Sequence, residues 1–295
     1  MKNEIIHFEN YLIEQEETDS SIEQHLLNLS YFEDWCNTQQ IRDKEFLQLG
    51  GIKEYVKFMQ NIPVKIGTQN IRLNSLSKYY DFLKLEGIIA KNPIRTFRIR
   101  KQKKTVVKNP LDEKELLTLF NDYVSYQDSK PKRLNFPHRD SINLRMRLIA
   151  SLVIFQGLHS GELMKLTVED INLSNSTVYV PSSGRANSRV IALHQSQILP
   201  FYKYLSSLPT DQEKLFTTNV QNGIYYILQE LQGLNSNIQN MRHIRASVLM
   251  NWIRIHGMRK AQYMIGHRYA TSTKSYEIQD IKDLSELMET THLFG

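Results

Sequence analysis

The chain of 295 residues has one cysteine, Cys36, and that scarcity excludes an internal disulfide and any cysteine-built zinc site. A reducing cytoplasm is the expected compartment, with Cys36 a half-buried helix residue. Long apolar runs are just as scarce. The longest apolar stretch, Leu148 to Phe155, is far shorter than the roughly 20 residues that span a bilayer, so no membrane partner is expected. Met1-Lys2-Asn3-Glu4 opens without the apolar core of a signal peptide. There is no His-Glu-x-x-His, no acidic pair at ligand spacing and no Gly-x-x-x-x-Gly-Lys loop. Neither metal nor cofactor is expected. Internal repeats and low-complexity tracts are absent as well.

What is present is an ordinary globular composition, 41% hydrophobic and 23% charged, with a net charge of +6. The length suits two domains. The net charge alone only tilts toward a polyanionic partner; its distribution says more. Arg95, Arg98, Arg100, Lys101, Lys103, Lys104 and Lys108 fall between Gly87 and Asp112 with no acidic residue among them. A solvated linker explains such a run, and so does a strap that neutralises phosphates.

Before the basic run, apolar residues recur at helical spacing in four stretches: Ile5, Phe8 and Leu12; Ile22, Leu26, Leu29 and Phe32; Ile52, Tyr55, Val56 and Met59; Ile71, Leu76, Tyr79, Tyr80 and Leu83. Ser20 or Ser21 is expected to cap the second, and Gly87 to end the fourth. A small helical bundle follows, its aromatic residues being core. After Asn109-Pro110, Asp112-Glu113-Lys114-Glu115 makes a capping-box start through Leu116, Leu117 and Phe120. A boundary therefore falls near 105, giving domains 1–105 and 106–295. The second mixes types. Helices are expected at Met146–Gln156, Glu162–Leu166, Ile198–Leu205, Tyr225–Leu231 and Arg245–Ile255. A hairpin is expected from Ser176–Val180 and Arg189–Leu193. The fold class is mainly α with a small β-hairpin or sheet.

The pieces that carry chemistry come late and in order. Gly157-Leu158-His159-Ser160-Gly161-Glu162-Leu163 precedes Asp170-Ile171 and the hairpin; then come Arg242-His243-Ile244-Arg245 and Ile265-Gly266-His267. Tyr276 closes the set, nine residues after the histidine (267 to 276). A phenol is a poor nucleophile unless fixed cations favour its oxyanion, and two arginines three apart on a helix share a face. A lone tyrosine among fifteen is ordinarily structural, and so is a lone histidine.

This order resembles the tyrosine recombinases, the phage integrase and Xer family, over about 110 to 290. Ile-Arg-Ala-Ser (244–247) and Gly-His-Arg-Tyr (266–269) look most like integrases of Bacteroides-group mobile elements. The resemblance implies a helical, SAM-like core-binding domain followed by an α+β catalytic domain. It implies Tyr276 as the nucleophile forming a 3′-phosphotyrosyl link, Arg245 as the second family arginine, and Arg242 in the usual histidine place. His267 would donate to a non-bridging oxygen. In a rival register Met241-Arg242-His243 is the family's Leu-Arg-His, which leaves Gln239 in the histidine place. Two departures stand out. His159 occupies the place of the first arginine, as a helix-end residue or, when protonated, a substitute cation. Arg185 occupies that of the hairpin lysine, with Arg189 its competitor, and arginine is a weak proton donor.

DNA contacts are expected from Arg98, Arg100, Lys101, Lys103, Lys104, Arg189 and Arg268. The implied protein is a nucleoid-associated recombinase for integration, excision or inversion at inverted-repeat sites in double-stranded DNA. It would act as a tetramer that exchanges the C-terminal stripe Ile281, Leu284, Leu287 and Met288, with an accessory DNA-bending or excision protein as a further partner. A catalytically silent DNA-binding relative and a type IB topoisomerase-like enzyme are the other readings.

Overall fold

The computed structural model describes residues 2–41, 49–95, 97–99, 107–130, 139–184, 186–217 and 220–277. The chain divides into two compact units, Met1–Lys104 and Thr105–Gly295.

The first unit holds α1 (Lys2–Glu14), α2 (Asp19–Thr38), α3 (Leu49–Asn61) and α4 (Ile66–Leu85). Its core is built from the expected stripes: Phe8, Leu12, Leu29, Phe32, Ile52, Tyr55, Leu76 and Tyr80 are buried together. Each such side chain contributes about 1.5–3 kcal/mol on leaving water. The exception is Ile71, which is exposed on α4. Thr18, not Ser20 or Ser21, caps α2, its side chain accepting from the Ser21 amide. Gly87 follows α4 with φ +71°, the left-handed turn that a residue with a Cβ resists. Two helices are also pinned by polar groups, with Ser75 Oγ meeting His25 Nδ1 at 2.8 Å and Asn28 Nδ2 at 2.9 Å. Cys36 is half-buried on α2, and burial pushes its thiol up to about 11, away from reactivity.

The second unit runs α5 (Glu113–Ser129), α6 (Arg139–Gln156), α7 (Ser160–Leu163), a three-stranded sheet, α8 (Gln195–Ser206), α9 (Val220–Leu234) and α10 (Met241–Ile265). Residues 270–277 are helical again. The Asp112–Glu115 capping box opens α5 as expected, both bonds being made. The sheet is antiparallel in the order β1 (Ile171–Asn172), β2 (Thr177–Val180), β3 (Arg189–Ala192). Val178 lies between Ile171 and Ile191, and Val180 opposite Arg189. Ile171, Val178, Val180 and Ile191 face a core shared with α5, α6, α8 and α9, while Tyr179 and Val190 point outward. α10 begins at Met241, four residues before the sequence periodicity indicates, and bends at Gly257 (φ +77°). Among the described residues, no helix is long and apolar enough to cross a membrane.

The N-terminal half of α10 grips the strand of chain that enters this unit. Ser247 Oγ accepts from the Leu111 amide at 3.0 Å, and Asn251 Nδ2 donates to the Leu111 carbonyl at 3.1 Å. These bonds fix the register of α10, and with it the direction in which Arg245 points.

Candidate active site

The first piece is made where α6 stops. Gly157 turns the chain with φ +61°, a left-handed angle that favours glycine, and a Cβ there would also press on Ile265 Cδ1 at 2.9 Å. His159 then caps α7. Its Nδ1 accepts from the Gly161 amide at 3.1 Å, and its own amide donates to Glu162 Oε2 at 3.0 Å. An Nδ1 that accepts from an amide carries no proton, so the neutral ring holds its proton on Nε2. Burial holds His159 below the ordinary histidine range; Glu162 opposes this, and Arg245 and Arg189 add to it. The His159 ring is therefore a neutral cap, not a spare cation.

Glu162 is the hub. It is wholly buried; Oε1 accepts from Arg189 Nη1 at 2.6 Å and Oε2 from Arg245 Nη1 at 3.0 Å. Burial alone would raise its pKa, but the two guanidinium charges outweigh it and hold the carboxyl below its ordinary value. Arg189 is spent on this interior: its Nε donates to the Met264 carbonyl at 2.7 Å, and Nη1 also reaches the Asn187 carbonyl at 3.3 Å. The expectation that Arg189 contacts DNA is thus corrected, because a side chain with no exposed surface cannot reach a duplex. The reason is strand alternation: on β3, Arg189 shares the inward face of Ile191.

Arg245 is held differently. Nη1 donates to the Gly157 carbonyl and to Glu162, and Nη2 to the Ile265 carbonyl at 2.7 Å. Three of its five N–H groups are used by described residues, which leaves two for a ligand, the number a bidentate phosphate contact takes. Its side chain keeps 16% of its surface open, whereas Arg189 keeps none.

The third piece is the turn after α10. Gly266 ends the helix at φ +80°, and its carbonyl accepts from the Asn187 amide at 2.8 Å. A Cβ on Gly266 would lie 2.4 Å from Arg189 Nη1, 2.8 Å from its Cζ and 3.1 Å from the Asn187 carbonyl oxygen. Glycine is needed here twice over, for the backbone angle and for the guanidinium against it. Gly266→Ala is expected to destabilise the second unit by about 2–3 kcal/mol through strain and a displaced buried arginine. Urea unfolding of wild type and variant measures this; a midpoint that does not move refutes it.

From this turn His267 projects beside Tyr276, with ring centroids 6.2 Å apart. His267 Nδ1 lies 3.0 Å from Thr273 Oγ1. Burial, then Arg245 and Arg189, push the imidazole down to about 4. It is neutral at any ordinary pH and acts as a hydrogen-bond group, not a charge. Tyr276 is 9% exposed, packed among Val107, Ala246, Leu249, Ile253, Ala261 and Ile265. Its hydroxyl has no hydrogen-bond partner among the described residues.

The structure thus brings His159, Arg245, His267 and Tyr276 to one place, with Glu162, Arg189 and Thr273 behind them. Arg242 stays exposed on the first turn of α10. His243 turns away, its Nε2 meeting the Lys108 and Asn109 carbonyls at 3.0 and 3.1 Å. Of the two registers, only that centred on Arg245 puts an arginine on Glu162. Arg98 and Arg268 are exposed. Arg100, Lys101, Lys103, Lys104, Arg185 and the stripe from Ile281 to Met288 lie outside the described residues. Among the described residues, no group of three or more His, Cys, Asp or Glu is placed to hold a metal ion. Sequence reasoning treated Glu162 only as part of a motif and passed over Thr273. For Glu162 a signal existed, an acid at the third position of the short helical turn that His159 caps.

No family model matches the chain. The tyrosine recombinase XerC of Vibrio cholerae is 26% identical over 234 residues, covering 75% of this chain and 70% of its own. Among solved structures, a lambda integrase dimer bound to a COC′ core site matches with a TM-score of 0.65 at 16% identity, covering 94% of this chain and 76% of that one. The Tn1549 transposon integrase in complex with circular intermediate DNA matches with a TM-score of 0.64 at 15% identity, covering 92% and 94%. The sequence relatives are tyrosine recombinases and the neighbours in fold are integrases; these are the proteins to which the chain is similar.

Proposed function

We propose that the chain is a site-specific DNA recombinase that cuts and rejoins duplex DNA through a covalent bond between Tyr276 and the 3′-phosphate. The observation that carries this reading is the arrangement around Arg245: two N–H groups that no described residue uses, with His267 and Tyr276 close enough for charge on each to be felt and their rings 6.2 Å apart. In this mechanism Arg245 grips two phosphate oxygens, and His267 donates from Nε2 to a non-bridging oxygen. Tyr276 Oη attacks phosphorus as the bond to the 5′-oxygen breaks. The phenol loses its proton and the departing 5′-oxygen gains one. The phosphoester is kept, so the reverse step rejoins a strand without a nucleotide cofactor.

Double-stranded DNA is the partner, as it is for the lambda and Tn1549 integrases captured on theirs. The basic run from Arg95 to Lys108, with Arg98, Arg100, Lys101, Lys103 and Lys104, suits the phosphate backbone, and Arg242 and Arg268 lie exposed near the site. We assign residues 1–105 to DNA binding and 106–295 to catalysis. Arg185, in the hairpin-lysine place, stabilises charge and does not serve as an acid. Assembly is as a tetramer on inverted-repeat sites, linked through the C-terminal stripe, with an accessory DNA-bending protein as a further partner.

The test is covalent trapping on nicked suicide duplexes made from the ends of the DNA element that encodes the chain. The expected result is a protein–DNA band that survives detergent; no band on any cognate end at low salt overturns the reading. The same assay weighs the neutral His159. One lost electrostatic donor costs about a hundred- to a thousandfold in rate. His159→Arg is therefore expected to trap about tenfold faster or more, even after losing a cap worth about 1 kcal/mol. An unchanged rate would mean that the neutral cap is no deficit.

A further inference from the structure

The geometry points to Thr273 as a positioning residue that holds His267 with its proton on Nε2 and joins it to the helix carrying the nucleophile. This rests on the recombinase reading and names the group on which the donor role of His267 depends. Thr273 has no exposed surface, and its Oγ1 lies 3.0 Å from His267 Nδ1. The backbone of His267 is held on two further sides. The His267 amide donates to the Gln262 carbonyl at 3.1 Å, the Gln262 side chain returns to the His267 carbonyl at 3.2 Å, and His267 bridges Ala186 in a short antiparallel pairing.

A neutral imidazole has one donor and one acceptor nitrogen, and the partner of one nitrogen decides what the other presents. A threonine hydroxyl that donates to Nδ1 leaves Nε2–H for a ligand. The opposite tautomer would present a lone pair to a phosphate oxygen, which is repulsive. The choice matters here because burial, and after it Arg245 and Arg189, disfavour a doubly protonated ring, so His267 does not donate from both nitrogens. Thr273 lies three residues before Tyr276 in the helical stretch 270–277, on one face with it. Any shift of that helix that moves the phenol therefore moves the hydroxyl that orients the imidazole.

The experiment uses the full chain and two variants. Thr273→Val keeps the shape and removes the hydroxyl; Thr273→Ser keeps the hydroxyl. Nitrogen-15 NMR of the imidazole in the DNA-free protein is expected to show Nε2–H in wild type and Ser, and a mixture of tautomers in Val. Because a donor to Nδ1 opposes protonation there, the His267 titration is expected to move up in Val and stay put in Ser. Covalent trapping should fall about ten- to a hundredfold in Val, less than for loss of the donor itself, and return with Ser. An Nδ1–H tautomer in wild type overturns the inference whether or not the protein cleaves. Wild-type trapping by Val with a folded spectrum also overturns it and leaves the recombinase reading intact. Failure of wild type itself to trap sinks that reading, while the tautomer still decides the role of Thr273 toward His267.

Discussion

A Tyr276→Phe variant will bind duplex DNA as wild type does and form no covalent complex with it. The first half follows from packing. The ring belongs to an apolar cluster with Ala246, Leu249, Ile253, Ala261 and Ile265 of α10, and its hydroxyl has no hydrogen-bond partner among the described residues. Phenylalanine fills the same space and orphans nothing, so the fold should change by less than about 1 kcal/mol. The second half follows from chemistry: without Oη nothing remains to bond phosphorus, and trapping should drop below detection. Gel-shift affinity and detergent-stable trapping, measured on the same nicked duplex, check both halves together. A band that persists in the variant would move the nucleophile elsewhere, and lost affinity would show that the phenol has a binding role.

The largest stability effect is expected at Glu162. Glu162→Gln leaves two guanidiniums facing an amide that carries no charge, with Arg189 wholly buried. Breaking a buried pair by removing one partner costs about 3–5 kcal/mol, because the stranded charge keeps its desolvation penalty. For a unit of this size that corresponds to a melting shift of about 10 °C. Calorimetry of Glu162→Gln beside the exposed control Glu169→Gln measures it; equal midpoints would show that the carboxylate is not the hub. The acid side has the same origin. Glu162 titrates below its ordinary value when folded, so its contribution is present above the unfolded pKa and lost as pH falls through the folded one.

Much of the fold was legible because apolar periodicity and turn chemistry agree with it. The capping box at Asp112, the hairpin and the four N-terminal stripes all depend on neighbours a few residues away. Helix α10 shows the limit: its start at Met241 depends on Asn240 as cap and on the grip of Ser247 and Asn251 on Leu111. These bonds span more than a hundred residues, beyond any local window. At the candidate site, His159, Arg245, His267 and Tyr276 were legible as candidates through their order in the chain, whereas the groups packed behind them were not. Arg189 shows why: a charge reads as surface until strand alternation is followed from Ile191 and places it inside. For Thr273 no local signal was available, since its meaning lies in the 3.0 Å to His267.

The Glu162 hub has an electrical consequence. Two guanidiniums and one carboxylate sum to a single positive charge, and both imidazoles, held low by burial and by these arginines, add none. A phosphodiester seated on Arg245 would bring that sum to zero. On the proposed reading, that seating would neutralise these three groups, a step that mobile ions would screen far less than they screen the basic run outside.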